Sequence, residues 1–181
     1  MNNGYGLLGN YNAGQCAIIV HCPGTVYYYI FTLDWFGGSN GLRYSLVDMS
    51  TAGGLGSVVT KNVRLQQRTC EKIDAIYNPM SNSYWVITHP YESCCFYVYK
   101  VDDSGIITAP VISQCGIYCS GGIPYGYNAA GQMTVSPQGT YLAWGVYHLH
   151  CCHPGEPETH RACHLQQPDQ LQGRFFATGT G

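Results

Sequence analysis

The chain contains the segment Tyr28-Tyr29-Ile30-Phe31-Thr32, and a similar segment recurs as Tyr84-Trp85-Val86-Ile87-Thr88. The offset between them also relates Pro23 to Pro79. A third segment, Ser136-Pro137-Gln138-Gly139-Thr140-Tyr141-Leu142-Ala143-Trp144, places another proline at nearly the same interval after Pro79. Aromatic and β-branched residues favour strands, and a long period filled with them is typical of a repeated β-unit. Repeated units shield their apolar faces against one another, so the sequence predicts an all-β fold of stacked sheets.

The positions of strand-forming runs divide each unit into short strands joined by turns. The first unit has predicted strands at 17–20, 27–33, 42–48 and 58–65, the second at 73–77, 84–88, 96–101 and 111–113, and the third at 133–135 and 141–147. Four antiparallel strands are the content of one propeller blade. We therefore predict a partial β-propeller over residues 1–147, with four-stranded blades at about 15–65 and 69–113 and part of a third at 131–147.

The composition excludes several classes of partner. Charged residues make up only 10% of the chain, against about 25% in an average soluble domain. The net charge is −2, and four of the eight basic residues lie together, at Lys61, Arg64, Arg68 and Lys72. We interpret that stretch as a solvated strand and loop, because nucleic-acid binding needs a broad positive field. No apolar run approaches the roughly 20 residues of a membrane span, and residues 1–6 lack the features of an export signal.

The ten cysteines leave the redox compartment open. Cys94-Cys95 and Cys151-Cys152 are neighbours in sequence, which disfavours bonds within each pair. Strand alternation would place Cys94 and Cys95 on opposite faces of a sheet, with one of them pointing inward. We therefore expect most of the cysteines to be unpaired or only optionally paired.

The composition changes abruptly after Tyr147. Residues 148–181 contain no Tyr, Val or Ile, so we predict an irregular tail rather than the remaining strands of a third blade. A shifted reading frame would produce the same break. The tail is rich in side chains that bind zinc, and these are His148, His150, Cys151, Cys152, His153, His160, Cys163 and His164. Their spacing matches no ordered zinc motif, so we predict no metal site in the tail. Zinc binding by the tail is the alternative that the sequence leaves open.

Three kinds of candidate chemistry remain in the strand-rich region. Asp48 and Asp102 end equivalent strands and offer ligand oxygens, but an Asp at a strand end more commonly caps a turn. His89 closes a strand and offers a general base, but no partner acid lies at a suitable spacing. The glycine-rich stretch at 53–56 opens no helix, so a turn between strands explains it better than a phosphate loop. The sequence therefore predicts no catalytic residue and no cofactor.

Aromatic side chains suggest a carbohydrate-binding platform. Tyr27, Tyr28 and Tyr29 form one group, and Tyr125 and Tyr127 lie in a glycine-rich loop. Alternation along a strand turns Tyr28 away from its two neighbours, so at least one side of that run should pack between sheets. The two loop tyrosines are freer to bind a ligand.

Residues from about 4 to 147 resemble the secreted β-propeller repeat proteins of Bacteroidota, which have WD40-like blades and accompany gliding-motility-associated or type IX secretion sorting domains. The resemblance rests on stretches at residues 6–9, 15–20, 28–34, 41–49, 53–56, 61–63, 71–72, 85–89 and 136–139. The vicinal Cys94-Cys95 and the tail after Tyr147 depart from that family. The family has no catalytic residues to transfer to this chain.

The resemblance implies a non-catalytic binding or scaffold module of an exported, cell-surface protein, with a protein or carbohydrate ligand. A closed propeller needs about 4 to 8 blades, so we expect a fragment whose open edges meet further blades or another copy. One alternative is a propeller hydrolase of the lactonase type, whose acids would come from Asp34, Asp48, Asp74, Glu92, Asp102 and Asp103. Another is a truncated reading frame without independent function.

Overall fold

The computed structural model describes residues 1–115, 118–120 and 128–145, together with the backbone of two short strands at 163–165 and 173–178. Sheet I contains β1 (Ala17–His21), β2 (Tyr27–Leu33), β3 (Leu42–Asp48) and β4 (Ser57–Gln66). Sheet II contains β5 (Thr69–Asn78), β6 (Ser83–Pro90), β7 (Phe96–Asp102) and β8 (Gly105–Ser113). Sheet III contains β9 (Met133–Val135), β10 (Leu142–Gly145), β11 (Cys163–Leu165) and β12 (Gly173–Thr178). The prediction of an all-β chain with two four-stranded antiparallel sheets and a smaller third is confirmed.

Sheets I and II use the same strand register, and the first strand pair of sheet III repeats it. Tyr28 pairs with His21 on β1 and with Val47 on β3. Its counterpart in the second unit, Tyr84, pairs with Tyr77 on β5 and with Val101 on β7. In sheet III, Leu142 pairs with Val135. Leu142 follows Tyr84 in the chain by the same number of residues as Val135 follows Tyr77, so this pair is the equivalent of the Tyr84–Tyr77 pair. The repeat in the sequence therefore corresponds to a repeat in which residues lie opposite each other on neighbouring strands.

The apolar core lies between the sheets. Residues of sheets I and II share one cluster, which includes Tyr29, Phe31, Leu33, Leu42, Ile73, Val86, Tyr99 and Val101. Residues of sheets II and III share a second cluster, which includes Ile87, Phe96, Val98, Met133, Leu142 and Trp144. Successive residues of a strand face opposite sides of a sheet, so Val86 packs toward sheet I and Ile87 toward sheet III. Sheet II is covered on both faces, which explains the uninterrupted apolar and aromatic run at residues 84–87 of β6.

Side chains also join the first strands of the three sheets. The Gln15 Oε1 atom accepts hydrogen bonds from the backbone N–H groups of Ile73 (3.2 Å) and Met133 (2.8 Å). The Asp74 Oδ2 atom accepts from the N–H of Val135 at 2.7 Å. β5 lies against both β1 and β9. The sheets are thus held together at their first strands as well as by their apolar faces.

Two details refine the sequence-based expectations. Cys94 and Cys95 lie in the loop between β6 and β7 rather than on a strand, and Cys94 is exposed. The tail, predicted to be irregular, includes the short strands β11 and β12, and β12 pairs with β10 in parallel. Within the described part of the chain, no helix has the length and hydropathy of a membrane span.

Candidate functional site

The two repeated aspartates cap turns. The Asp48 Oδ1 atom accepts hydrogen bonds from the N–H (2.8 Å) and hydroxyl (2.6 Å) of Ser50. The Asp102 Oδ1 atom accepts from the N–H (3.0 Å) and hydroxyl (2.5 Å) of Ser104. The Ser104 hydroxyl, together with nearby Lys100, lowers the pKa of Asp102. The interpretation of these residues as turn caps is confirmed.

The other predicted acids are dispersed, and most bind nearby backbone. The Asp34 carboxylate accepts from the N–H groups of Trp35 and Asn40, both at 2.9 Å. Asp74 ties β5 to β9, and Glu92 forms an exposed ion pair with Arg68 at 3.4 Å. The fold does not bring these carboxylates together into one site.

The aromatic candidates are divided by the fold. Tyr29 is buried between sheets I and II, Tyr28 is half-buried on the other face of β2, and Tyr27 is exposed. Tyr125, Tyr127 and the predicted zinc-binding side chains of the tail lie outside the described residues. The glycine-rich stretch forms the connection between β3 and β4, with one 3₁₀ turn at Ala52–Gly54.

A different group of reactive side chains meets inside the protein. The β5–β6 ladder pairs Thr69 with Pro90 and Ile73 with Thr88, so residues 70–72 form a bulge in β5. Bulges redirect side chains and are frequent beside functional sites. All three bulge residues, Cys70, Glu71 and Lys72, are buried.

The bulge brings Cys70 to His89 and Cys119, which we call the Cys–His cluster. All three residues are 0% exposed, and their ligand atoms lie within 4.8 Å of one another. The Cys70 Sγ atom is 3.6 Å from His89 Nδ1, and the Pro90 carbonyl oxygen is 2.9 Å from the same nitrogen. No hydrogen bond reaches His89 Nε2 from the described part of the chain.

The loop segment at 118–120 carries the third member of the cluster. The Cys119 N–H donates to the Ser93 carbonyl (3.1 Å), and the Glu92 N–H donates to the Cys119 carbonyl (2.7 Å). These bonds hold the segment against the β6–β7 loop. Ala129 and Tyr91 pack beside the two thiols, and the His89 ring meets the Phe96 ring edge-on at 4.9 Å.

Lys72 and Glu71 supply buried charge next to the cluster. The Lys72 ammonium donates to the carbonyl oxygens of Asn128 and Ala130, both at 2.7 Å. The Glu71 carboxylate accepts from the N–H groups of Gly14 (2.7 Å) and Phe36 (3.2 Å). Burial lowers the pKa of Lys72. The interpretation of Lys72 as part of a solvated stretch was wrong, because the bulge turns it inward.

The two thiols have opposite acidities. A hydrogen bond from Cys70 lowers the pKa of Cys119, and the His89 ring and the Lys72 charge lower it further. The same hydrogen bond raises the pKa of Cys70. The arrangement therefore makes Cys119 the more acidic of the two thiols.

Above the cluster, five segments form one end of the molecule, which we call the loop surface: residues 10–14, 34–41, 67–68, 91–95 and 118–120. Arg68 lies at its centre, with its guanidinium 4.0 Å from the centre of the Tyr91 ring and its Nε donating to the Gly37 carbonyl at 2.7 Å. On the same segments, Tyr11, Trp35 and Tyr118 are 93%, 45% and 58% exposed.

Sequence reasoning considered His89 only as a general base and rejected that role, and it did not connect Cys70 or Cys119 with it. Cys70 and Cys119 are far apart along the chain, and both lie outside any spaced metal motif. The one signal in the sequence was that Cys70 precedes the predicted strand that pairs with the strand ending near His89. The bulge at 70–72 breaks the side-chain alternation, so periodicity did not show that Cys70 points inward. Comparison of the chain with protein-family models, curated proteins and solved structures found no match.

Proposed function

We propose that the chain is a non-catalytic binding or scaffold module of an exported, cell-surface β-propeller protein, of the Bacteroidota repeat type that its sequence resembles. The equal register of sheets I and II, repeated in the first strand pair of sheet III, supports the propeller arrangement, since blades repeat the same pairing and pack face to face. Binding residues commonly lie on loops that a rigid scaffold positions.

The loop surface is the observation that carries the binding role. The loop surface carries exposed aromatic side chains and the Arg68–Glu92 ion pair, and Arg68 anchors the loops at 34–41 and 91–95 to each other. Large aromatic side chains held on fixed loops bind sugar rings or protein side chains with little loss of conformational freedom. The carboxylates of Asp34, Asp48, Asp74 and Asp102 bind backbone N–H groups, so no observation favours the hydrolase alternative.

Affinity electrophoresis in gels that contain soluble polysaccharides tests carbohydrate binding by this surface. We expect one or more polysaccharides to retard the chain, and Trp35→Ala to reduce the retardation at least about tenfold, as for loss of a central aromatic contact. The matched control is Tyr77→Ala, since Tyr77 is 43% exposed and lies at the opposite end of its sheet. Equal loss in both variants, or no retardation by any polysaccharide, contradicts carbohydrate binding at the loop surface.

The outer face of sheet I supports the proposal that another β-sheet packs against this chain. Ile30 and Val47 lie on this face, and their counterparts Val86 and Val101 in sheet II are covered by sheet I. An apolar groove of about 550 Å³ runs along the face, and Ile19 beside it is 67% exposed. We propose that another sheet of the same kind covers this face, from a further blade or a second copy.

Sedimentation velocity of the purified chain tests the second-copy arrangement. We expect association that increases with concentration and that Ile19→Lys abolishes, because the new charge would be buried in the interface. Val59→Lys is the control, since Val59 is 52% exposed and does not line the groove. A monomer at all concentrations would contradict the second-copy arrangement.

A further inference from the structure

We propose that Cys70, His89 and Cys119 bind a zinc ion, which fastens the loop surface to sheet II. The proposal rests on the Cys–His cluster alone and does not depend on the proposed binding role. It concerns residues of two neighbouring strands and one loop.

The donor atoms suit zinc. Two cysteine sulfurs and one imidazole nitrogen are the ligand types that structural and catalytic zinc sites combine. With Zn–S and Zn–N bonds of about 2.3 and 2.1 Å, tetrahedral geometry places sulfur and nitrogen about 3.6 Å apart. Cys70 Sγ and His89 Nδ1 lie 3.6 Å apart. The Pro90 carbonyl oxygen, 3.6 Å from Cys70 Sγ, is a further oxygen donor at the site.

Burial and charge also favour a cation. The three side chains are fully buried, and two thiolates buried together would be costly without a cation between them. Zn²⁺ with two thiolates is neutral as a unit, and the neighbouring Glu71 and Lys72 carry opposite charges. The buried site is therefore balanced in charge when zinc is bound.

The position of the site gives the ion a structural role. Cys70 lies at the start of β5, His89 lies near the end of β6, and Cys119 belongs to the segment that bonds to Ser93. A zinc ion here links two strands of sheet II to the segment at 118–120. Tyr118 on that segment is 58% exposed, so the ion would hold part of the loop surface in place.

The test begins with the full-length chain, produced with added zinc and dialysed against metal-free buffer. Elemental analysis should find one zinc per chain. Replacement by cobalt(II) should give a thiolate-to-cobalt charge-transfer band and the visible bands of tetrahedral cobalt. Cys70→Ser and Cys119→Ser should each weaken zinc binding more than about 100-fold, since loss of even an outer partner of a ligand costs about 10–100-fold.

Two full-length controls separate this site from other cysteines. Cys94→Ser removes an exposed thiol of the loop surface, and the triple variant C151S/C152S/C163S removes the thiols of the tail. Both should keep one zinc per chain. Zinc that disappears with the tail thiols but remains in Cys70→Ser overturns the proposal.

Measurements on the unaltered chain decide the question even where a variant fails to fold. Absence of zinc, or a cobalt spectrum without a thiolate band, overturns the site. So does a Cys70–Cys119 disulfide, mapped by mass spectrometry of the chain isolated without reductant. Zinc-dependent protection of Cys70 and Cys119 from alkylation, lost on addition of a chelator, supports it.

Discussion

Lys72 is a buried cation whose local environment defines its role. Its side chain is 0% exposed, and its ammonium bonds to two carbonyl oxygens of the segment that leads to sheet III. Burying a charge is costly unless hydrogen bonds and opposite charge compensate it. Lys72 therefore links sheet II to the residues at 128–130 and is expected to be sensitive to substitution.

Lys72→Met should reduce the free energy of unfolding by about 2–4 kcal/mol, because two buried carbonyls lose their donor and Glu71 loses a nearby positive charge. Urea denaturation measures the loss. The double variant Lys72→Met with Glu71→Gln should recover part of it by removing the uncompensated carboxylate. If the double variant loses more free energy of unfolding than the two single variants lose together, this account of the Lys72 charge is contradicted.

Tyr99 gives the protein a dependence on alkaline pH. Burial raises the pKa of Tyr99 to about 12, whereas an unfolded tyrosine ionises near 10. Between about pH 10 and 12 the unfolded chain releases a proton that the folded chain retains, so stability falls as pH rises through this window. Over that window, the free energy of unfolding measured by urea denaturation should fall by about 2 kcal/mol less for Tyr99→Phe than for the unaltered chain. Identical pH profiles for Tyr99→Phe and the unaltered chain would refute the prediction.

At the scale of the element, the turns and registers of the strands carry the repeat. Asp48 and Asp102 cap equivalent turns with equivalent serine partners, and the pairs around Tyr28 and Tyr84 match. These features depend on local sequence, because a turn fixes the register of the strands that it joins. The sequence therefore predicted the strands of sheets I and II with boundaries close to those observed, except that β5 begins at Thr69 and β8 at Gly105, well before the predicted starts.

Gly41 controls the approach of the β2–β3 loop to the β4–β5 connection. Its φ is +63°, and a side-chain carbon would overlap the carbonyl oxygens of Gln66 and Gln67. Gly41→Ala should cost more than about 2 kcal/mol from backbone strain and overlap together. Gly53→Ala is a matched control, since its φ is +64° and a side-chain carbon would meet nothing within 4 Å. Equal losses for the two variants in thermal unfolding would show that overlap at Gly41 has no effect.

The bulge in β5 shows where local sequence reasoning failed. Pattern alone placed the second unit's first strand at 73–77, whereas β5 begins at Thr69 and includes the bulge. A bulge shifts the alternation of side chains, so Cys70 and Lys72 point inward although neither belongs to an apolar run. Neither the buried lysine nor the Cys–His cluster was predictable from periodicity.

At the scale of the whole molecule, two separate apolar clusters link three sheets. Sheet II contributes to both, while sheet III joins through the cluster around Phe96 and Trp144, whose ring centres are 5.1 Å apart. Stability is not uniform in such an arrangement, and a terminal unit can open without the others.

Trp144→Ala should cost about 3–5 kcal/mol, because the side chain is 1% exposed and fills the interface between sheets II and III. Amide hydrogen exchange should show loss of protection at β9 and β10 with little change at β2. Phe31→Ala, in the other cluster, should instead reduce protection in sheets I and II. Uniform loss of protection in both variants would show that the three sheets unfold as one unit.

The sequence by itself determined the β-class of this protein, the repeat of its strands and the capped turns, because each depends on neighbours close together along the chain. Only the tertiary structure decided the Cys–His cluster and the loop surface. Their members come from strands and loops far apart in sequence, which meet because one bulge turns Cys70 inward and backbone bonds to Ser93 bring Cys119 beside it. Long-range packing of this kind leaves no fixed spacing in the chain.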